Sequence, residues 1–292
     1  MSDDGQYGMT IIAFVGSVFS PYYALACGRN DGAADPREHC AFNVVHYRLG
    51  GKRWAMTERA AHRLHRSRDE IAIGPSSMRW TGRSLAIRVD EIAVPVPRRL
   101  RGRIDLWPAA MTGHSESLDP QGRHTWHPFA PCSRIVVRME EPSLRWTGNA
   151  YFDSNTGTEA PARAFRGWDW SRARRADGDA VVLYEVDRRN GPVHCIALRF
   201  DERGGVERFE PPPRTSLTRS RWGLQRATRC DPGSPPGILR SLEDTPFYAR
   251  SLVASRLLDE PVVAVHESLS LDRFQSPWVR LMLPFRMPRN RF

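Results

Sequence analysis

The chain has 292 residues, 40% of them hydrophobic, enough for one large or two ordinary domains with a packed core and too apolar for wholesale disorder. Its net charge is +10, carried almost wholly by arginine because Lys52 is the only lysine; these arginines are dispersed and match no nucleic-acid-binding signature, so no nucleic-acid partner is expected. The five cysteines, Cys27, Cys40, Cys132, Cys195 and Cys230, form no C-x-x-C pair, which excludes a zinc or thiol-redox motif and fits reduced cytoplasmic thiols.

Along the chain, the apolar run Met9 to Phe19 follows Asp3 and Asp4; it is too short to span a bilayer and lacks the marks of a signal peptide. Any membrane contact is therefore expected to be peripheral. Thr57 to Arg68 reads as a helix, with Thr57 as its cap. Period-two alternation predicts strands at Leu85–Val89, Leu100–Leu106, Arg134–Glu140, Ala180–Val186 and Val193–Phe200. Turn signals separate them at Pro97, Asp119-Pro120-Gln121-Gly122, Asp177-Gly178, Asn190-Gly191-Pro192 and Gly204-Gly205. The tetrapeptide Arg79-Trp80-Thr81-Gly82 recurs as Arg145-Trp146-Thr147-Gly148, either two similar strand-turn units or coincidence. A domain seam is expected near Arg163 to Arg175, around Trp168-Asp169-Trp170, and the apolar, basic stretch Trp278 to Arg286 reads as a final core strand with membrane contact as its other reading. Many short strands without a βαβ rhythm predict an all-β sandwich or barrel.

The common cofactor signatures are missing. There is no G-x-S-x-G, P-loop, G-x-G-x-x-G or H-E-x-x-H, and the nine histidines show no ligand spacing, so neither metal nor cofactor is expected. Acid–base chemistry or simple binding remains. Two segments concentrate reactive side chains: Arg123-His124-Thr125-Trp126-His127 and Tyr151-Phe152-Asp153-Ser154-Asn155. On strands, His124 and Trp126 share a face, as do Tyr151 and Asp153. An imidazole, an indole, a phenol and a carboxyl together suit carbocation chemistry: the acid delivers a proton to an alkene, aromatic faces stabilise the cation, and the histidine handles water or protons. In an ordinary half-exposed strand the same pattern would turn Thr147, Asn149, Tyr151 and Asp153 to solvent, and Asp153-Ser154-Asn155 before Gly157 would make a turn. His266-Glu267 reads as a surface ion pair or, alternatively, an acid–base pair. Trp168 and Trp170 read as core or domain-interface aromatics, with Asp169 capping a turn.

Longer strings run from end to end: AFVGSVFSPYY at 13–23, WAMTER at 54–59, PFAPC at 128–132, YFDSN at 151–155, GWDWSR at 167–172, LEDTPFYAR at 242–250, HESLSLDRF at 266–274, and SPWVR at 276–280 with PFR at 284–286. On these the chain resembles the carotenoid 1,2-hydratases (hydroxyneurosporene synthases) of phototrophic purple bacteria; only the first eight residues lack a counterpart. The resemblance implies two lipocalin-like β-barrel domains in tandem, residues 1–165 carrying the catalytic groups and residues 166–292 following. It implies cofactor-free addition of water to the terminal C1–C2 double bond of an acyclic carotenoid such as neurosporene or lycopene. The family's His-x-Trp and Tyr-x-Asp are met by His124 with Trp126 and by Tyr151 with Asp153. It further implies a membrane-dissolved substrate, and so a cytoplasmic protein held peripherally at the membrane. A lipocalin-like carrier of apolar ligands and a cofactor-free terpenoid or polyketide cyclase are the rival readings.

Overall fold

The computed structural model describes residues 1–29 and 34–290. Strands dominate, as the turn-rich alternation predicts, and the chain divides into two compact units. The first comprises Met1–Pro108, Ser133–Ala150 and Arg280–Phe292; the second comprises Ala109–Cys132 and Tyr151–Val279. A single cut after residue 165 does not separate them. The strands His124–Glu141 and Leu144–Gly157 each divide between the units, so all four expected catalytic residues fall in the second unit.

In the first unit, Gly8–Val15, Cys40–Arg48 and Gly51–Arg59 form an antiparallel sheet, with Arg289–Asn290 added in parallel. The expected helix at Thr57 to Arg68 is therefore strand, a short 3-10 turn at Ala61–Arg63, and strand again. Two charged residues sit at buried positions of the first strand and blurred its alternation. Glu58 is fully buried against His39 Nδ1 at 2.9 Å, and Arg59 meets Glu91 at 2.7 Å. A second sheet carries, in order, Leu144–Gly157, His124–Glu141, Arg99–Pro108, Leu85–Ile92, Ser76–Trp80, Glu70–Ile73 and Leu64–Arg66. The two Arg-Trp-Thr-Gly copies differ: the first ends a strand in a turn, where Thr81 and Ser84 bond each other, whereas the second lies inside a strand.

The second unit is organised by a seven-stranded sheet, ordered Val206–Arg208, His194–Phe200, Ala180–Arg188, Phe165–Arg174, Glu260–Ser270, Tyr248–Leu257 and Gly237–Asp244. Every ladder is antiparallel, so directly opposed residues share a face. The register lines up Ile196, Tyr184, Trp170, Glu267, Arg250 and Glu243 in one row. The opposite face carries the apolar core of Ala173, Val181, Leu183, Ala197, Val262 and Ala264. The expected seam at Arg163 to Arg175 is instead the central strand of this sheet, and Asp169 belongs to that strand rather than to a turn.

The all-β class holds, but among the described residues no sheet closes into a ring. Barrel closure needs a full ladder between first and last strands, and edges such as Leu64–Arg66 and Val206–Arg208 are only three residues long. The expected final strand from Trp278 to Arg286 is a helix, Pro277–Arg286, with proline at its first position and Val279 and Leu283, four residues apart, as its buried contacts. Among the described residues, no helix is long and apolar enough to cross a membrane.

Candidate active site

Three of the four expected residues meet directly. The strand His124–Glu141 presents Trp126, fully buried, and the strand Leu144–Gly157 presents Tyr151 and Asp153 two positions apart on one face. The Trp126 Nε1–H donates to Asp153 Oδ2 at 2.9 Å and to the Tyr151 hydroxyl at 3.2 Å. The Tyr151 hydroxyl in turn donates to the same Oδ2 at 3.1 Å. Asp153 Oδ2 thus accepts two hydrogen bonds, and a proton on this carboxyl belongs on Oδ1. The predicted turn at Asp153-Ser154-Asn155 does not form, since the strand runs through to Gly157.

Burial is the largest influence on this carboxyl and raises it from 3.8 to about 6. The two donated hydrogen bonds pull the other way, and the charge of Glu267 adds to the rise. Tyr151 is held well above its ordinary value, again chiefly by burial, and stays a neutral donor.

The seven-stranded sheet completes the surroundings with residues that alternation did not single out. Trp170 packs on Tyr151 with ring centroids 5.2 Å apart, and Tyr184 and Trp126 meet in a T-shaped contact with centroids 5.5 Å apart. Buried Arg172 donates to the Pro131 carbonyl at 2.9 Å, and burial pushes its guanidinium down to about 10. Tyr184 ends the run Ala180-Val181-Val182-Leu183-Tyr184 of the strand Ala180–Arg188, which marks a buried strand but carries no sign of a site. Trp170 reads in the sequence as a core or domain-interface aromatic, and Arg172 enters only within the GWDWSR string.

His124 stands apart from this trio. Its imidazole packs on Phe165, centroid to centroid 4.9 Å, and its Nε2 faces Glu159 Oε1 across 3.7 Å. A Cβ added to Gly157 would come within 2.7 Å of His124 Nδ1, so the close approach requires glycine there. Burial lowers the basicity of the ring, while Asp119 and Glu159 work to restore it. The imidazole is therefore neutral near pH 7 and able to accept a proton.

A second carboxyl, Asp169, is also raised to about 6, mainly by burial. It lies on the other face of the sheet, where Ser268 donates to it and Arg214 stands 3.6 Å away. The adjoining cavity, lined by Glu185, Arg229 and His266 among others, measures about 10 Å³, room for a single water at most. His266 is not part of a surface pair: it is buried, donates Nε2–H to the Ala227 carbonyl at 2.7 Å, and is lowered by burial to about 4. Its neighbour Glu267 pairs with Arg250 at 2.9 Å. Between Asp153 and Asp169, it is Asp153 whose bonded partners Trp126 and Tyr151 pack on further aromatic rings.

The family model for the carotenoid hydratase CrtC matches residues 11–292. The chain belongs to this family. The acyclic carotenoid 1,2-hydratase of Rubrivivax gelatinosus is 52% identical over 290 residues, which are 99% of this chain and 71% of that protein. The acyclic carotenoid 1,2-hydratase of Cereibacter sphaeroides is 41% identical over 281 residues, covering 96% of this chain and 98% of that one. Among solved structures, a Nitrosomonas europaea protein described as AttH superposes with a TM-score of 0.62 at 14% identity, covering 92% of this chain and 88% of that one, a likeness of fold alone. The strings that carry the carotenoid hydratase resemblance converge on the site: residues 151–155 give Tyr151 and Asp153, residues 167–172 give Trp170 and Arg172, and residues 266–274 give Glu267.

Proposed function

We propose that this chain adds water across the terminal C1–C2 double bond of an acyclic carotenoid, giving a tertiary alcohol. The observation that carries this reading is the arrangement at Asp153: a carboxyl raised to about 6, one oxygen tied by Trp126 and Tyr151, the other left for a proton. Asp153 gives that proton to C2, and the C2–H bond forms at the expense of the C1–C2 π bond. Positive charge then rests on C1, a tertiary carbon, where the faces of Trp126, Tyr151, Trp170 and Tyr184 stabilise it by roughly 0.5–2 kcal/mol each when water is excluded. Water attacks C1 and releases one proton to the neutral His124, whose charged form Glu159 supports. His124 then gives its proton up to solvent and Asp153 takes one from it, so both groups return to their starting states. No electron is gained or lost, so the reaction as written calls on no redox cofactor.

The same reading takes the two units as opened, lipocalin-like sheets, which the runs of antiparallel neighbours support. It places the protein on the cytoplasmic side, in peripheral contact with the membrane that dissolves its substrate.

The test is incubation of the purified protein with lycopene or neurosporene dispersed in lipid, in H₂¹⁸O without added cofactor, followed by chromatography and mass spectrometry. A product heavier by one labelled water is expected. Substrate that co-purifies unchanged would replace this reading with that of a carrier, and an isomer of unchanged mass would point to a cyclase.

A further inference from the structure

The helix Pro277–Arg286 leaves most of its apolar side chains outside the core. Only Val279 and Leu283 are buried hydrophobics on it, at 1% and 7% exposure. Trp278 is 45% exposed, Leu281 72%, Met282 40% and Phe285 81%. Their spacing is i, i+3, i+4 and i+7, so at 100° per residue they fall within an arc of about 100° on one face. Isolated exposed leucines need no explanation, but a contiguous aromatic and aliphatic stripe does. Exposed Arg280 and Arg286 stand on the same helix, and no acidic residue follows Asp272 in the sequence.

We infer that this helix lies on an anionic lipid surface, with Trp278, Leu281, Met282 and Phe285 inserted at the headgroup boundary. The inference rests on the carotenoid reading for its purpose, since a hydrocarbon substrate has to be met at the bilayer. The physical case is separate. Trp, Leu and Phe on one face with arginines beside them is the composition of an in-plane interfacial helix. The arginines complement anionic headgroups close to the surface. A second copy of the chain fits less well: the four exposed side chains offer roughly 500 Å², against about 800 Å² per partner in a stable dimer.

The experiment is flotation of the full chain with vesicles of phosphatidylcholine, with and without phosphatidylglycerol, in the absence of carotenoid. The comparison is the double variant Leu281→Ser/Phe285→Ser, which leaves Val279 and Leu283 in place; circular dichroism and thermal melting confirm that it is folded. Wild type is expected to float with the anionic vesicles and the variant to partition at least about tenfold less. Arg280→Glu is expected to lose only the part of binding that depends on phosphatidylglycerol. Equal flotation of wild type and double variant overturns the inference, as does wild type that stays with the pellet. A dimer in sedimentation that the double variant abolishes also overturns it, because a second copy would then cover the stripe. Turnover of detergent-dispersed carotenoid should be the same in both proteins. Flotation needs no turnover, so failure of the hydratase reading and failure of this one are told apart.

Discussion

Replacing Asp153 with asparagine removes an acid while keeping its shape. The amide oxygen still accepts from Trp126 Nε1 and the Tyr151 hydroxyl, and the amide nitrogen takes the place of Oδ1. Turnover should be lost, because no proton remains to give. Stability should move the other way. The carboxyl titrates at about 6 in the folded chain and at 3.8 in the reference state, so folding opposes its ionised form. For an acid raised by folding, the folded state binds more protons between these two values. Wild-type stability therefore declines as pH rises through this window and stays low above it. The cost relieved by asparagine is about 2–3 kcal/mol above pH 6 and vanishes below pH 4. For a chain of this size that is about 5–10 °C in melting temperature. The assay is thermal unfolding of both proteins at pH 4 and pH 8, beside labelled-water turnover. Equal melting at pH 8 would refute the claim that burial holds this carboxyl above its ordinary range. Undiminished hydration by the variant would remove Asp153 as the acid.

Three further outcomes are expected. The wild-type rate at limiting substrate should fall about tenfold per pH unit above 6, as the acid loses its proton; in Tyr151→Phe the fall should begin about one unit higher, because a hydrogen bond to the carboxylate has gone, and an unmoved limb would sever Tyr151 from the acid. Gly157→Ala should push the His124 ring aside and lower turnover at least about tenfold, with a stability loss of only about 1–3 kcal/mol; full activity would show that the position of His124 is not needed. Asp169→Asn should hydrate at the wild-type rate per folded molecule, since that carboxyl faces a one-water cavity; loss of activity without loss of fold would make Asp169 the better acid.

The sequence carried the strands wherever apolar and polar residues alternated, as at Leu85–Ile92 and Arg99–Pro108. It failed where burial fell on charged residues. Glu58 and Arg59 are core residues paired across the fold with His39 and Glu91, and a pattern that reads charge as exposure mistakes their strand for a weak helix. It failed again at Trp278–Arg286, where four exposed apolar residues looked like core. The pair spacings of His124-Trp126 and Tyr151-Asp153 were legible because period two is a property of one strand. That His124 lies against Phe165 and Gly157 while Trp126 meets Asp153 was not, because it depends on what packs over each position. Trp170 and Tyr184 come from consecutive strands and Glu267 from one much later in the chain, and only the register of the sheet brings them into one row.

That row also explains why the acid is tuned rather than simply buried. Burial alone would drive the Asp153 proton to be held tightly, making it a poor donor to an alkene. The Trp126 and Tyr151 hydrogen bonds favour the carboxylate and so strengthen the acid, while Glu267 weakens it. Glu267 is itself restrained by Arg250, its directly opposed neighbour, at 2.9 Å. The balance leaves a carboxyl at about 6, part protonated near neutral pH yet acidic enough to part with its proton, the compromise that general acid catalysis favours. Asp169 reaches the same value by burial against an arginine and a serine, beside a cavity with room for one water at most. Equal acidity on the two faces of one sheet therefore does not by itself mark two active sites: the aromatic faces around Asp153, which can stabilise the charge that proton transfer creates, are why we propose Asp153 rather than Asp169 as the acid.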